Sequence, residues 1–121
     1  MSGWRNSKTF HMKNHSDFEF NIQDEYKKQT GQKWNTIIQH VERSMADSNK
    51  HAWYLNYCSA HKLPMVPMII AKDINKKLLA HFKDIAEGTE PANLKFGTII
   101  LDFADENIIR QILSLNFGSF V

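Results

Sequence analysis

The chain has 121 residues, 42% of them hydrophobic and 23% charged, which suits one ordinary domain and is too short for two. Fifteen basic against thirteen acidic side chains give a formal charge of +2 without long runs, so neither a nucleic-acid groove nor a polybasic membrane patch is implied. The single cysteine, Cys58, can form no internal disulfide, and no stretch approaches the roughly twenty apolar residues that a spanning helix needs.

Residues 1–17, beginning MSGWRNSKTFHMK, hold no apolar signal core and no helical or strand period, so they are predicted to be a loop region. From Phe18 an alternating pattern sets in. It puts Phe20, Ile22, Asp24 and Tyr26 on one face of a first strand, which ends in the polar stretch Lys27 to Gly31. Trp34, Ile37, Ile38, Val41 and Met45 then recur at helical spacing, with Lys33, Gln39, Glu42 and Arg43 assigned to the polar face of that helix. Ala52 to Ser59 is a short, nearly continuous aromatic and apolar run, predicted to be a buried strand.

After a loop carrying Pro64 and Pro67, a second helix is predicted from Ala71, Ile74, Leu78, Phe82 and Ile85, with Gly88 as its terminator. Phe96 to Phe103 is the most hydrophobic run and the third predicted strand. Asp105 stands as the N-cap of a third helix through Ile108, Ile109, Ile112 and Leu113. Buried strands alternating with helices imply an α/β architecture of three parallel strand and helix units, in either an open sheet or a piece of a barrel. An unrelated open sheet would set the first and third strands side by side with the second at an edge.

In parallel α/β folds chemistry collects where strands end and helices begin. Asp24 and Tyr26 share parity with Phe20 and Ile22, and Asp102 shares parity with Thr98 and Ile100, so all three are expected on one side of the sheet at one rim. Phe20, Ile22, Tyr54, Thr98 and Ile100 are expected to face the interior of such a barrel, the side that its opposing half would cover. An inward aspartate can hold a histidine or a substrate hydroxyl, or it can simply accept N–H bonds from a helix start, and spacing alone leaves both readings open.

The segments FNIQDEYK (Phe20 to Lys27), YLNYCS (Tyr54 to Ser59) and GTIILDF (Gly97 to Phe103) resemble the sixth, seventh and eighth strands of the bacterial-type phosphatidylinositol-specific phospholipase C catalytic domain. PMIIAKDIN, with Pro67, Ala71 and Asn75, fits the intervening material, and Trp4 with Phe10 resembles the loop before the sixth strand. The resemblance covers nearly the whole chain. It implies the C-terminal portion of a TIM-type barrel, in which residues 18–121 supply the last three strand and helix units. The activity it implies is phosphoric diester cleavage of phosphatidylinositol, giving diacylglycerol and a cyclic inositol phosphate, with no metal and no cofactor. By the same resemblance Asp102 holds the general-base histidine, Asp24 accepts bonds from inositol hydroxyls, and Tyr26 stacks on the inositol ring.

The family's two histidine motifs and its early aspartate and arginine are absent from this sequence and would precede Met1. His11, His15, His40, His51, His61 and His81 lie in none of the family's histidine contexts. His40 and His81 are assigned to helices, and His61, after the second strand, is the one nearest the expected rim. The chain by itself is therefore expected to be inactive. The alternative is a non-catalytic module that binds inositol phosphates or a half-barrel. The expected partners are a phosphatidylinositol or inositol phosphate headgroup and an N-terminal half-barrel or a second copy. No nucleic acid is expected, and a membrane is touched only through the substrate. Family members are often secreted, but this chain shows no signal peptide.

Trp53, Tyr54 and Tyr57 are read as packing residues, Cys58 as a core filler, and no His, Cys, Asp or Glu set has metal-ligand spacing.

Overall fold

The computed structural model describes residues 5–60, 67–88 and 96–117. In chain order the elements are β1 (Thr9–Lys13), β2 (Glu19–Gln23), α1 (Thr30–Ala46), β3 (Ala52–Tyr57), α2 (Pro67–Gly88), β4 (Thr98–Ile100) and α3 (Glu106–Phe117). From β2 onward this is the alternation expected from the sequence. β2, β3 and β4 pair in parallel in that order, with Ile22 opposite Leu55 and Leu55 opposite Thr98. β3 lies between its neighbours, so the alternative with the second predicted strand at an edge is not what the chain adopts.

The expectation of a loop over residues 1–17 fails at Thr9–Lys13. These residues form β1, antiparallel to β2, with Phe10 opposite Ile22 and Met12 opposite Phe20. The sheet is therefore mixed, with four strands in the order β1-β2-β3-β4. The reversal is made by Asn14, whose Oδ1 accepts from the backbone N–H groups of Ser16 at 2.9 Å and Phe18 at 3.0 Å, while Asp17 takes a positive φ of 61°. An asparagine that bonds its own following backbone closes such a turn without glycine.

Alternation along β3 decides what each face meets. Asn56 donates from Nδ2 to the Ile37 carbonyl on α1, and Cys58 sits in the core cluster with Ile70, Ile74 and Leu78 of α2. Tyr54 has the same parity. Its hydroxyl donates to Asp47 Oδ2 at 2.6 Å, and its ring meets His40 edge-on at 5.2 Å. Tyr54 thus faces the helices, not the opposite side as expected, because its register follows Asn56 and not Trp53. Trp53, Leu55 and Tyr57 take the other face, where Trp53 is 55% exposed and meets Phe20 edge-on at 5.8 Å.

α1 is rotated from the stripe the sequence suggested. Its inward arc runs through Lys33, Ile37, His40, Val41 and Ser44, spacings of four, three, one and three that lie on one side of a helix. Lys33, expected on the polar face, is fully buried, and Met45, expected on the apolar stripe, is exposed. α2 begins at Pro67, a turn earlier than predicted, since a proline in the first helical turn loses no hydrogen bond and its φ is already helical. α3 starts as read from the sequence, with Asp105 Oδ1 accepting from the Ile108 N–H at 2.9 Å.

β4 is shorter than the run from Phe96 to Phe103. Gly97 at φ 78° precedes it, and Phe103 at φ 51° comes after it. Gly97 has to be glycine sterically as well, since a Cβ there would come within 2.7 Å of the Tyr54 Cβ and carbonyl oxygen. The core lies between the sheet and the three helices. It gathers Ile37, Cys58, Ala60, Ile70, Ile74, Leu78, Phe82 and Ile108, with Trp34, Phe96, Ile99, Leu101 and Ile112 against it. Each buried aliphatic or phenyl side chain there contributes about 1.5–3 kcal/mol of transfer free energy.

Candidate functional site

The turn after each strand shapes the polar end of the sheet. β2 ends at Gln23, and the next residue, Asp24, donates its backbone N–H to the Lys8 carbonyl at 3.1 Å, so the chain leaving β2 stays joined to the segment entering β1. Thr9 donates its hydroxyl to Glu25 Oε2, and Lys28 Nζ lies 3.0 Å from Glu25 Oε1. Burial raises the Glu25 pKa, but the hydrogen bonds from Thr9 and Lys28 together with the positive charges of Lys28 and Lys33 outweigh it and leave the carboxyl below its ordinary value.

Beneath this turn runs a buried polar network that ties two strands to α1. Lys33 Nζ donates to Gln23 Oε1 at 2.8 Å and to the Glu25 carbonyl at 3.0 Å, so its two acceptors bracket Asp24. Gln23 Oε1 also accepts from the Glu25 N–H, and its Nε2 donates to Asn56 Oδ1 at 2.6 Å and to the Tyr57 carbonyl at 2.9 Å. Burial away from water pulls the Lys33 pKa down to about 8. The opposing attraction comes from Asp24 and Glu25, because Cys58 nearby is a neutral thiol whose pKa burial pushes up to about 12.

On the β4 side, Asn75 of α2 donates from Nδ2 to the Asp102 carbonyl at 3.0 Å and to the Phe103 carbonyl at 3.2 Å. The turn after β4 is thereby fixed to a neighbouring helix.

These supports bring Asp24, Tyr26 and Asp102 to one cleft of about 470 Å³, lined also by Ser59, Ala60 and Pro67. All three residues singled out in the sequence therefore share a single concavity at the C-terminal ends of the parallel strands. Its lining supplies two carboxylates, a phenol and a hydroxyl. Lys27 stands over the Tyr26 ring, its Nζ 5.8 Å from the centroid.

None of the described histidines lines the cleft. His40 is buried on α1, its Nε2 3.0 Å from the Asn21 carbonyl, and burial holds its pKa below the usual imidazole value. His51 packs edge-on against Phe18, and His81 against Trp34. His61 lies outside the described residues. Among the described residues no group of three His, Cys, Asp or Glu side chains converges on a point.

The sequence reading missed Lys33 and the bridging role of Asn75. A lysine at an inward helical position, four residues before Ile37 and eight before Val41, was the available signal for the first. The second had only its place in PMIIAKDIN.

The fold and the cleft together define a stretch of parallel α/β wall whose helices lie on one side and whose rim carries acidic and aromatic side chains. No protein-family model matches the chain, and no curated protein matches it by sequence. Solved structures do match. A histidine-to-tyrosine variant of the phosphatidylinositol-specific phospholipase C of Staphylococcus aureus superposes with a TM-score of 0.81 at 24% identity, over 97% of this chain and 40% of that one. A double variant of the same enzyme gives 0.72 at 26% identity, over 84% and 33%. The phosphatidylinositol-specific phospholipase C of Listeria monocytogenes gives 0.70 at 24% identity, over 80% and 34%.

The chain is thus similar in structure to a portion of bacterial phosphatidylinositol-specific phospholipase C, and it spans about two fifths or less of the length of those proteins. The resemblance read from its strand segments and the likeness of its fold point to the same family.

Proposed function

We propose that this chain forms the inositol-recognising wall of a phosphatidylinositol-cleaving barrel, and that alone it binds the headgroup without turning it over. The observation that carries the reading is the meeting of Asp24, Tyr26 and Asp102 in one cleft at the strand ends. In this reading Asp24 accepts hydrogen bonds from inositol hydroxyls and Tyr26 lies against the ring. Asp102 accepts from a histidine carried by another part of the barrel and raises that histidine's basicity.

The chemistry is transfer of the phosphoryl group from the glycerol oxygen to the inositol 2-hydroxyl, which needs a base for the attacking hydroxyl and an acid for the leaving oxygen. General acid and general base steps each contribute roughly a hundred- to ten-thousand-fold, so a cleft whose described lining holds neither histidine keeps recognition and loses most of the rate.

The test is a chemical-shift titration of the labelled chain with inositol 1-phosphate, alongside a phosphatidylinositol cleavage assay. Binding at about millimolar strength is expected, with shifts confined to residues near Asp24, Tyr26 and Asp102 and at least a fivefold loss in Asp24→Asn. No cleavage is expected. Absence of rim shifts at saturating ligand refutes the recognition. Turnover that persists through repeated purification refutes the inactivity, and His61→Ala is then the first variant to make.

A further inference from the structure

Another cavity, of about 180 Å³, opens on the helix-bearing side of the sheet and shares no residue with the cleft. Strand register builds one wall of it. His11 of β1 stands opposite Asn21 of β2, and Asn21 opposite Tyr54 of β3, so the three form one row on the side where α1 packs. α1 contributes His40 and Arg43, which the three-residue spacing places side by side on the helix surface. Thr9 completes the polar lining.

No carboxylate lines this cavity among the described residues. The two that border it are already engaged, Glu25 by the Thr9 hydroxyl and Asp47 by the Tyr54 hydroxyl. Two lining residues carry buried side-chain atoms that have no hydrogen-bond partner, Asn21 Nδ2 and His40 Nδ1. Native folds leave few such atoms unmet, and His40 is only 2% exposed. The two atoms have opposite needs. Asn21 Nδ2 can only donate. His40 Nε2 lies 3.0 Å from the Asn21 carbonyl, which can only accept, so Nε2 carries the ring proton. Burial, reinforced by the charge of Arg43, favours the neutral ring, and Nδ1 is left with a lone pair that requires a donor.

We infer that this cavity is a site for a small oxyanion that still carries a proton, namely inorganic phosphate, with Arg43 and Asn21 donating to its oxygens and its own hydroxyl donating to His40 Nδ1. The cavity has room for about six water molecules at roughly 30 Å³ each, which accommodates one tetrahedral oxyanion. Arg43 supplies the countercharge, and it and His11 are exposed, which puts them at the entrance. Sulfate has a similar shape but no proton at neutral pH, so it would meet the Nδ1 lone pair with another lone pair. A phosphate monoester gives up its last proton near pH ~6 and at pH 8 meets the same repulsion, whereas inorganic phosphate keeps one. A site built to pair a ligand hydroxyl rejects an analogue without it. The inference is therefore independent of the headgroup reading, since an inositol monophosphate is a poor ligand here at that pH.

The isotope-labelled chain is titrated at pH 8 and constant ionic strength with sodium phosphate, sodium sulfate and methyl phosphate in turn, and the amide and imidazole nitrogen resonances are followed. Phosphate is expected to bind at about millimolar strength, moving the amides of His11 and Asn21 and the His40 Nδ1 resonance. Sulfate and methyl phosphate are expected to bind at least tenfold more weakly. Arg43→Gln alters an exposed side chain outside the core and is expected to weaken phosphate binding at least fivefold. Equal affinity for the three anions overturns the proton-bearing ligand. Shifts confined to Asp24 and Asp102 or to lysines elsewhere on the surface overturn the site, as does binding that Arg43→Gln leaves unchanged. A chain that shows no shift at high phosphate has a cavity that takes water only, which overturns the inference outright.

Discussion

Replacing Lys33 with methionine should remove a pH dependence from folding while leaving the packed stem in place. Lys33 is 0% exposed, and its pKa falls from 10.5 to about 8 because burial penalises the charged form. The unfolded chain therefore holds this proton more tightly than the folded one, and the charged lysine weakens folding at neutral pH. The whole penalty is present below pH 8 and fades as pH rises from 8 to 10.5. With the linkage relation and these two values, the native state gains about 2 kcal/mol between pH 7 and pH 9.5 from this residue alone. In Lys33→Met that gain vanishes, and Gln23 Oε1 keeps the bond from the Glu25 N–H. The net change at pH 7 should stay within about 2 kcal/mol, since two charged hydrogen bonds are lost as the desolvation cost is relieved. Urea unfolding of both proteins at the two pH values measures this, and the difference between them cancels every other titrating group. A difference that moves by less than about 0.5 kcal/mol across that range refutes a depressed Lys33 pKa.

Gly97→Ala should cost more than about 3 kcal/mol or prevent folding, because it combines a positive φ with a Cβ 2.7 Å from the Tyr54 backbone. Denaturant unfolding measures it, and a loss under about 1 kcal/mol would contradict the packing of β4 against β3. Asp105→Ala removes the acceptor for the Ile108 N–H and should lower stability by about 1 kcal/mol, read from the urea midpoint, with Asp105→Asn largely retaining it. Cys58, buried and with a pKa of about 12, should resist iodoacetamide in the folded chain at pH 8 and react fully in urea, as mass spectrometry would show.

The alternation of elements from β2 to α3 was legible because buried strands and amphipathic helices differ in period, and Asp105 announced α3 by its chemistry. β1 was not legible. Phe10 and Met12 do alternate with Thr9, His11 and Lys13, but five residues with three polar members give little signal at an edge where only one neighbour specifies pairing. The rim residues came from parity, since Asp24 and Asp102 continue strands whose inward side was already fixed. Tyr54 was misplaced by treating a continuous aromatic run as one surface. A run apolar at nearly every position hides which residue faces which layer. Lys33 was misplaced for a different reason: a long aliphatic stem lets a lysine occupy a core position if its ammonium finds acceptors, and here those are contributed by Gln23 and Glu25.

Asn75 gives the rim an unusual mechanical parentage. Asp102 stands beyond the last ladder-paired residue of β4, and its own carbonyl is gripped by a side chain from α2. The backbone that carries Asp102 is therefore placed by how a helix in the outer layer seats against the sheet. A substitution on the far side of α2 that slides the helix by a fraction of an ångström reaches Asp102 through one amide group, with no change to any residue lining the cleft. Variation in the outer layer becomes a fine adjustment of the rim, and a screen confined to cleft residues would never sample it.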